Sequence, residues 1–267
     1  MDYVKPGQML ESLIAMGEAK AKLPVSQKLA RSAMAGAILG CATTLAYTAS
    51  VQTKMPIAGA VLFPMGFVLI LLLGLELVTG SFAALPLAVL KRRTSAAKMA
   101  SSFAWALLGH AIGAGLYAAF YAMTITKMGH DMSNPLVQAV VSAAEGKTSA
   151  YIHIGAEGWM LAFVKAALCN WMVALGAIMS LSSTSTIGKI AAMWMPVLLF
   201  FGQGFEHLIV NMFLLPAGIM LGGNYSIADM LLWNWFPVLL GNFVGGAIFT
   251  GLLFYVAHRQ KVAAADR

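Results

Sequence analysis

Charge is the scarcest property of this sequence. Only ten of 267 residues are Asp or Glu, and charged residues of both signs make up 10%. A soluble globular domain carries roughly 25%, so this chain lacks the side chains to cover a water-facing surface. Cysteine is nearly absent as well. Cys41 and Cys169 both fall in apolar stretches, where a thiol behaves as a small hydrophobe, so neither a disulfide framework nor a metal site is expected. The five histidines show no metal-ligand spacing, and no cofactor is expected. A secretory signal is missing too, because Glu11 and Glu18 interrupt any early apolar run.

What is present is hydrophobicity: 60% of the residues, with mean hydropathy +0.80. Apolar runs without dyad alternation read as helices rather than barrel strands. The intervals Ser26–Ala49, Pro56–Leu75, Ala97–Ile125, Gly158–Leu181, Ile190–Phe205 and Leu231–His258 are each near or above the ~20 residues that cross a bilayer core. An all-α integral membrane protein with six transmembrane helices follows. Thirteen of the 17 Lys and Arg fall on one side if the N-terminus is cytoplasmic, among them Lys20, Lys91, Lys189, Lys261 and Arg267. The other side holds Lys54, Lys127 and Lys147, with Lys165 inside a span. This bias places both termini in the cytoplasm and assigns the +7 net charge to topology in the inner (plasma) membrane rather than to nucleic acid. The expected organisation is an amphipathic cytoplasmic segment over 1–25, a channel domain over 26–258 with halves 26–125 and 158–258, and a tail over 259–267.

The halves echo each other. Gly74-Leu-Glu76 answers Gly204-Phe-Glu206, 130 positions later, and Gly109-His110-Ala-Ile-Gly113 answers Gly241-Asn242-Phe-Val-Gly245, 132 positions later. Three spans per half make the second half enter the membrane from the opposite side, as in transporters whose solute site lies between inverted repeats. Polar residues, Gly and Pro after Glu76 and after Glu206 mark the second and fifth helices as broken, since unwound backbone in lipid must find partners inside the protein.

Ionisable residues within spans are functional candidates. His207 stands at the second break, beside Glu206 and within one turn of Asn211. It can hydrogen-bond or give a proton to a small anion whose bare burial costs many kcal/mol; the alternative is a neutral histidine that holds loop backbone. Glu76 and Glu206 read as acceptors for backbone N–H groups freed at the breaks, with direct proton transfer as the rival. His110, matched to Asn242, reads as a packing hydrogen bond, and Lys165 as a snorkelling side chain. Phe63, Phe67, Phe200 and Phe201 are either constriction rings or core. An enzyme is not expected: adjacent Glu206 and His207 point about 100° apart on a helix, and no second histidine or serine motif accompanies them. A neutral-solute channel is the other alternative, although neither break contains Asn-Pro-Ala.

The run Gly204-Phe-Glu-His207-Leu-Ile-Val-Asn211-Met-Phe resembles the signature of the formate/nitrite transporter family. Gly74-Leu-Glu-Leu-Val-Thr79-Gly, Leu168-Cys-Asn170-Trp-Met-Val173 and Gly241-Asn242-Phe-Val-Gly-Gly match its other hallmarks in order, from about Lys28 to His258. The resemblance implies an aquaporin-like fold of inverted three-helix repeats, a homopentamer with one pore per protomer, and passage of small monovalent anions with protons. It assigns His207 to mid-pore and Thr79 and Asn170 to its polar network. Leu77 and Val173 match the cytoplasm-side slit, and Phe63, Phe67 and Phe200 the other constriction positions. Lys147 matches the outer-vestibule lysine, with Lys165 as the substitute. Formate and nitrite are the expected solutes; hydrosulfide and other small acids remain alternatives.

Overall fold

The computed structural model describes residues 2–259. Apart from one bridge between Tyr3 and Ser183, regular structure among these residues is helical. Four helices are long and apolar enough to cross a membrane: α2 (Val25–Thr53), α5 (Ala96–Ile125), α8 (Ala156–Met179) and α11 (Ile227–His258). Four shorter apolar helices come in two broken pairs, α3 (Pro56–Leu72) with α4 (Val78–Leu90), and α9 (Thr186–Gly202) with α10 (Leu208–Met220). The chain is therefore a multi-pass helical membrane protein. The tail expected over 259–267, with Lys261 and Arg267, lies beyond Arg259 outside the described residues.

Two boundaries differ from the sequence reading for one reason. The second and fifth spans were expected to stop near Leu75 and Phe205, where acidic residues follow. Instead α4 and α10 continue past them, because Glu76 and Glu206 are buried and held by cations inside the protein. The stretch from Thr126 to Glu157 is not a plain loop either. It folds into α6 (Pro135–Glu145), capped by the Asn134 side chain and burying Val137, Val140 and Ala144, and the short α7 (Ser149–Ile154).

Small residues set the helix packing. A Cβ on Gly113 would collide with the Ala33 carbonyl of α2, and one on Gly245 with the Ala167 carbonyl of α8. Gly109 meets Ser32 in the same way, and Gly241 meets Phe163. Close helix approach in lipid depends on such small contact faces. The N-terminal helix α1 (Pro6–Lys22) packs rather than floats: Leu13 and Ile14 are fully buried, in a cluster with Ala84 and Leu87 of α4. Two π-type turns, Leu231–Trp235 and Gly245–Leu252, interrupt α11. Such turns often re-aim side chains at functional sites. Here the first carries Asn234 and the second Gly246, both against the polar interior described next.

Candidate solute pathway at the two helix breaks

The two breaks share one backbone design. Gly74 and Gly204 adopt left-handed conformations, φ +63° and +66°, which a residue without Cβ takes at little cost. The chain then folds back, with Leu75 N donating to Ile70 O at 2.9 Å and Phe205 N to Phe200 O at 3.3 Å. Two residues later Leu77 and His207 are extended, φ −119° and −110°, and each opens a new helix. The first amides of those helices need acceptors. Val78 N donates to His110 Nε2 at 3.2 Å, and Leu208 N to Asn242 Oδ1 at 3.0 Å. The pairing of His110 with Asn242 is thus a pair of helix caps supplied by the neighbouring long helices.

Each glutamate faces a lysine rather than backbone amides. Lys20 of α1 donates to Glu76 at 3.0 Å, and Ser81 also bonds that carboxylate. Lys147, in the turn between α6 and α7, donates to Glu206 at 2.8 Å. Glu206 further accepts from Tyr151 Oη at 2.6 Å, Asn211 Nδ2 at 2.7 Å and Asn234 Nδ2 at 3.3 Å. A carboxylate bearing so many donors is fixed as the hub of a buried network. The expectation that freed backbone amides would hold both carboxylates is corrected here: side chains hold them, and His110 and Asn242 take the amides.

His207 sits where the two halves meet. Its Nδ1 accepts from Val210 N at 3.2 Å, so a neutral ring carries its proton on Nε2. That nitrogen lies 3.1 Å from Thr79 Oγ1, across 128 residues of sequence. Phe200 stacks on the imidazole, with centroids 5.5 Å apart and planes at 19°. Asn170 Nδ2 donates to Thr79 O at 3.0 Å and Asn242 O at 2.7 Å, tying the first break to the cap of the second.

Two cavities approach this centre. One of about 470 Å³ is lined by Lys147, Phe200, Phe201, His207 and Tyr47, among others. The other, of about 250 Å³, ends at Leu77 and Gly80 and is lined by Lys20, Arg31 and Glu76. Lys147, His207 and Phe200 therefore line one cavity and Leu77 lines the other. Thr79 bridges to His207, while Asn170, Glu206 and Asn211 support from behind. Phe63, Phe67 and Val173 line neither cavity. Phe63, fully buried, stacks on Phe201 at 3.8 Å and meets Phe200 edge-on at 5.8 Å, behind the two rings that line the cavity. Lys165 lies over the Tyr151 ring at 5.8 Å and lines neither cavity. Sequence reasoning missed Lys20, Tyr151 and Asn234. Lys20 precedes Lys147 by 127 positions, close to the repeat offset, and could have been found that way. Tyr151 and Asn234 carry no such signal.

A family model described as formate/nitrite transporter matches residues 7–256. A probable formate transporter of Methanothermobacter thermautotrophicus is 31% identical, over 97% of this chain and 98% of the relative. Among solved structures, an FNT family ion channel superposes with TM-score 0.79 at 25% identity, covering 94% of this chain and 98% of that one. A pentameric formate channel with formate bound superposes with TM-score 0.67 at 22% identity, covering 88% and 98%.

Proposed function

The chain belongs to the formate/nitrite transporter family, and from that premise we propose that it conducts small monovalent anions, formate or nitrite, through a pore centred on His207. In this reading the fold is six membrane-crossing segments in aquaporin-like inverted three-helix repeats. Both termini face the cytoplasm, the protein lies in the inner membrane, and five copies assemble with one pore each. The segment 1–25, the channel domain 26–258 and the tail 259–267 are its three parts.

The observation that carries this proposal is the wiring of His207. Nδ1 is committed to the Val210 amide, and Nε2 faces Thr79 at the floor of the Lys147 vestibule. An anion arriving there meets an N–H donor in a site cut off from bulk water, where bare burial would cost many kcal/mol. The ammonium of Lys147, held by Glu206, presents further N–H groups on the way. Leu77 on one side and Phe200 on the other supply apolar constrictions that disfavour a fully hydrated ion. Hydrogen bonding is the resting role of the ring. Proton delivery requires the imidazolium, whose Nδ1–H must release the Val210 amide. Passage as a neutral acid then links transport to a pH gradient.

The test is formate uptake into proteoliposomes by His207→Phe protein under an imposed pH gradient. The expected outcome is a large loss of flux and of its pH dependence. Wild-type rate and pH dependence in the variant would remove His207 from the pathway.

A further inference from the structure

Lys28 of α2 is a buried charge without a counter-charge. It is only 6% exposed, yet no carboxylate lies within 4 Å of its ammonium among the described residues. It donates to Ser102 Oγ at 2.8 Å and more weakly to Ala21 O at 3.4 Å. Both acceptors are neutral, and an ammonium has a third N–H to place. A charge taken out of water is normally paired, because nothing else replaces its lost hydration. The buried carboxylates do not serve it: Glu76 is engaged by Lys20 and Ser81, and Glu206 by Lys147.

The surroundings of Lys28 suit an anion from outside the chain. It lines a cavity of about 440 Å³ together with Lys22, Lys98, Ser101 and Ala97. Lys98 is exposed and also has no carboxylate within 4 Å among the described residues. Lys22 faces Glu18 at 2.7 Å, but Glu18 is shared with Arg93 at 3.5 Å, so the cluster keeps a positive balance. The cavity also meets the first turn of α5. There Ser95 Oγ caps Lys98 N, which leaves the Ala96 and Ala97 amides without an acceptor, and such amides favour a bound anion. Leu108 and Ile112, 46% and 55% exposed, share the face of α5 that carries Ser101, about 10 and 16 Å further along its axis.

We propose that this cavity binds the phosphate of an anionic phospholipid. Lys28 is its buried counter-ion, Lys98 and Lys22 stand at the rim, and the acyl chains lie along Leu108 and Ile112. That exposed apolar face below the lysines is what selects a lipid over a free phosphate ion. Basic pockets between membrane helices at the cytoplasmic surface take such headgroups, and in the proposed topology α2 and α5 both begin on that side. None of the residues that line this cavity lines either cavity at the breaks, so the site stands or falls apart from the transport reading.

The experiment reads thermal unfolding of the purified protein in detergent, titrated with phosphatidylglycerol, phosphatidylcholine or inorganic phosphate. Phosphatidylglycerol should raise the wild-type Tm saturably, as a ligand of the folded state does, and the other two should not. Lys98→Gln, at an exposed position, should raise the phosphatidylglycerol concentration at half-response about fivefold. Lys28→Met fills similar space without the charge and should abolish the response, while Lys28→Arg keeps it. If Lys28 served only to bond Ser102 and Ala21, Lys28→Met would lower the Tm yet keep the full response to lipid. That result, an unchanged half-response in Lys98→Gln, or equal wild-type responses to phosphatidylglycerol and phosphatidylcholine, overturns the site. Should Lys28→Met not fold, Lys98→Gln decides alone. A response to inorganic phosphate equal to that of phosphatidylglycerol overturns the lipid as the source of the anion.

Discussion

Replacing His110 by Leu tests whether the first break is held by a side-chain cap. His110 is fully buried on α5, and its Nε2 is the acceptor given to Val78 N, at 3.2 Å. Leucine fills similar space and accepts no hydrogen bond, so the Val78 amide would be buried without a partner at the depth of the break. An unsatisfied buried donor costs about 1–3 kcal/mol. The loss should appear as lower unfolding free energy of purified protein in detergent, measured by denaturant titration. His110→Asn should recover most of it, because Asn242 performs the same duty for Leu208 N through Oδ1 at 3.0 Å. Asn242→Leu should cost more than His110→Leu, since Asn242 Nδ2 also donates to Ala166 O at 2.8 Å and Glu206 O at 2.9 Å. Wild-type stability in His110→Leu, or no recovery with Asn, would refute the capping argument.

Three further outcomes are expected. Thr79→Val keeps the shape but removes the hydroxyl 3.1 Å from His207 Nε2; formate flux should fall about two- to tenfold, the worth of one net hydrogen bond, and return with Thr79→Ser. Lys147→Met leaves Glu206, only 1% exposed, as an unpaired buried charge and should cost about 3–5 kcal/mol. Adding Glu206→Gln should recover much of that cost in a double-mutant unfolding cycle. In the loop after α5, the hydrogen bond from Lys127, together with that from Ser133, holds the Asp131 carboxyl below its ordinary value. Its contribution is therefore present above the usual Asp range and lost as pH falls through the depressed value. Protection of the Ser133 amide, measured as its exchange rate relative to the intrinsic rate at each pH, should fall on acidification, and Asp131→Asn should abolish that pH dependence of protection.

How much of this was legible beforehand depends on what each feature is made of. The membrane character was, because it is carried by composition and needs no tertiary information. Both breaks were too, since Gly-x-Glu recurs 130 positions apart and a left-handed glycine leaves a readable mark. The continuation of the broken helices was not. Acidic residues normally end a span, and the sequence alone could not show that Glu76 and Glu206 are neutralised from 56 and 59 residues away. For the same reason the carboxylates were assigned backbone partners. The amides they were meant to satisfy are taken by His110 and Asn242, carried on long helices that pack on α2 and α8 through Gly109, Gly113, Gly241 and Gly245. The first π-type turn in α11, which carries Asn234 against Glu206, has no counterpart in hydrophobic periodicity.

The comparison of the two breaks separates scaffold from chemistry. Duties that occur in both halves are architectural: the left-handed glycine, the lysine–glutamate pair, and the side-chain cap on the new helix. Each settles backbone or charge that an interrupted helix leaves unsatisfied, and each half must settle its own. Where the halves differ, no such duty explains the residue. At the 130-residue offset Leu77 stands against His207, Thr79 against Ile209, and Gly40 against Asn170. His207, Thr79 and Asn170 are the residues joined around the centre, by the contact of His207 Nε2 with Thr79 Oγ1 and of Asn170 Nδ2 with Thr79 O. A repeated scaffold frames two cavities, of about 470 and 250 Å³, and the polar centre between them is assembled from unlike contributions: a hydroxyl from the first half, an imidazole and an amide from the second. In the proposed pathway that centre holds a single imidazole, so an anion would meet one strong donor rather than two. A single donor offers contact without a cage, which is what a site needs if the ion is to leave as readily as it enters.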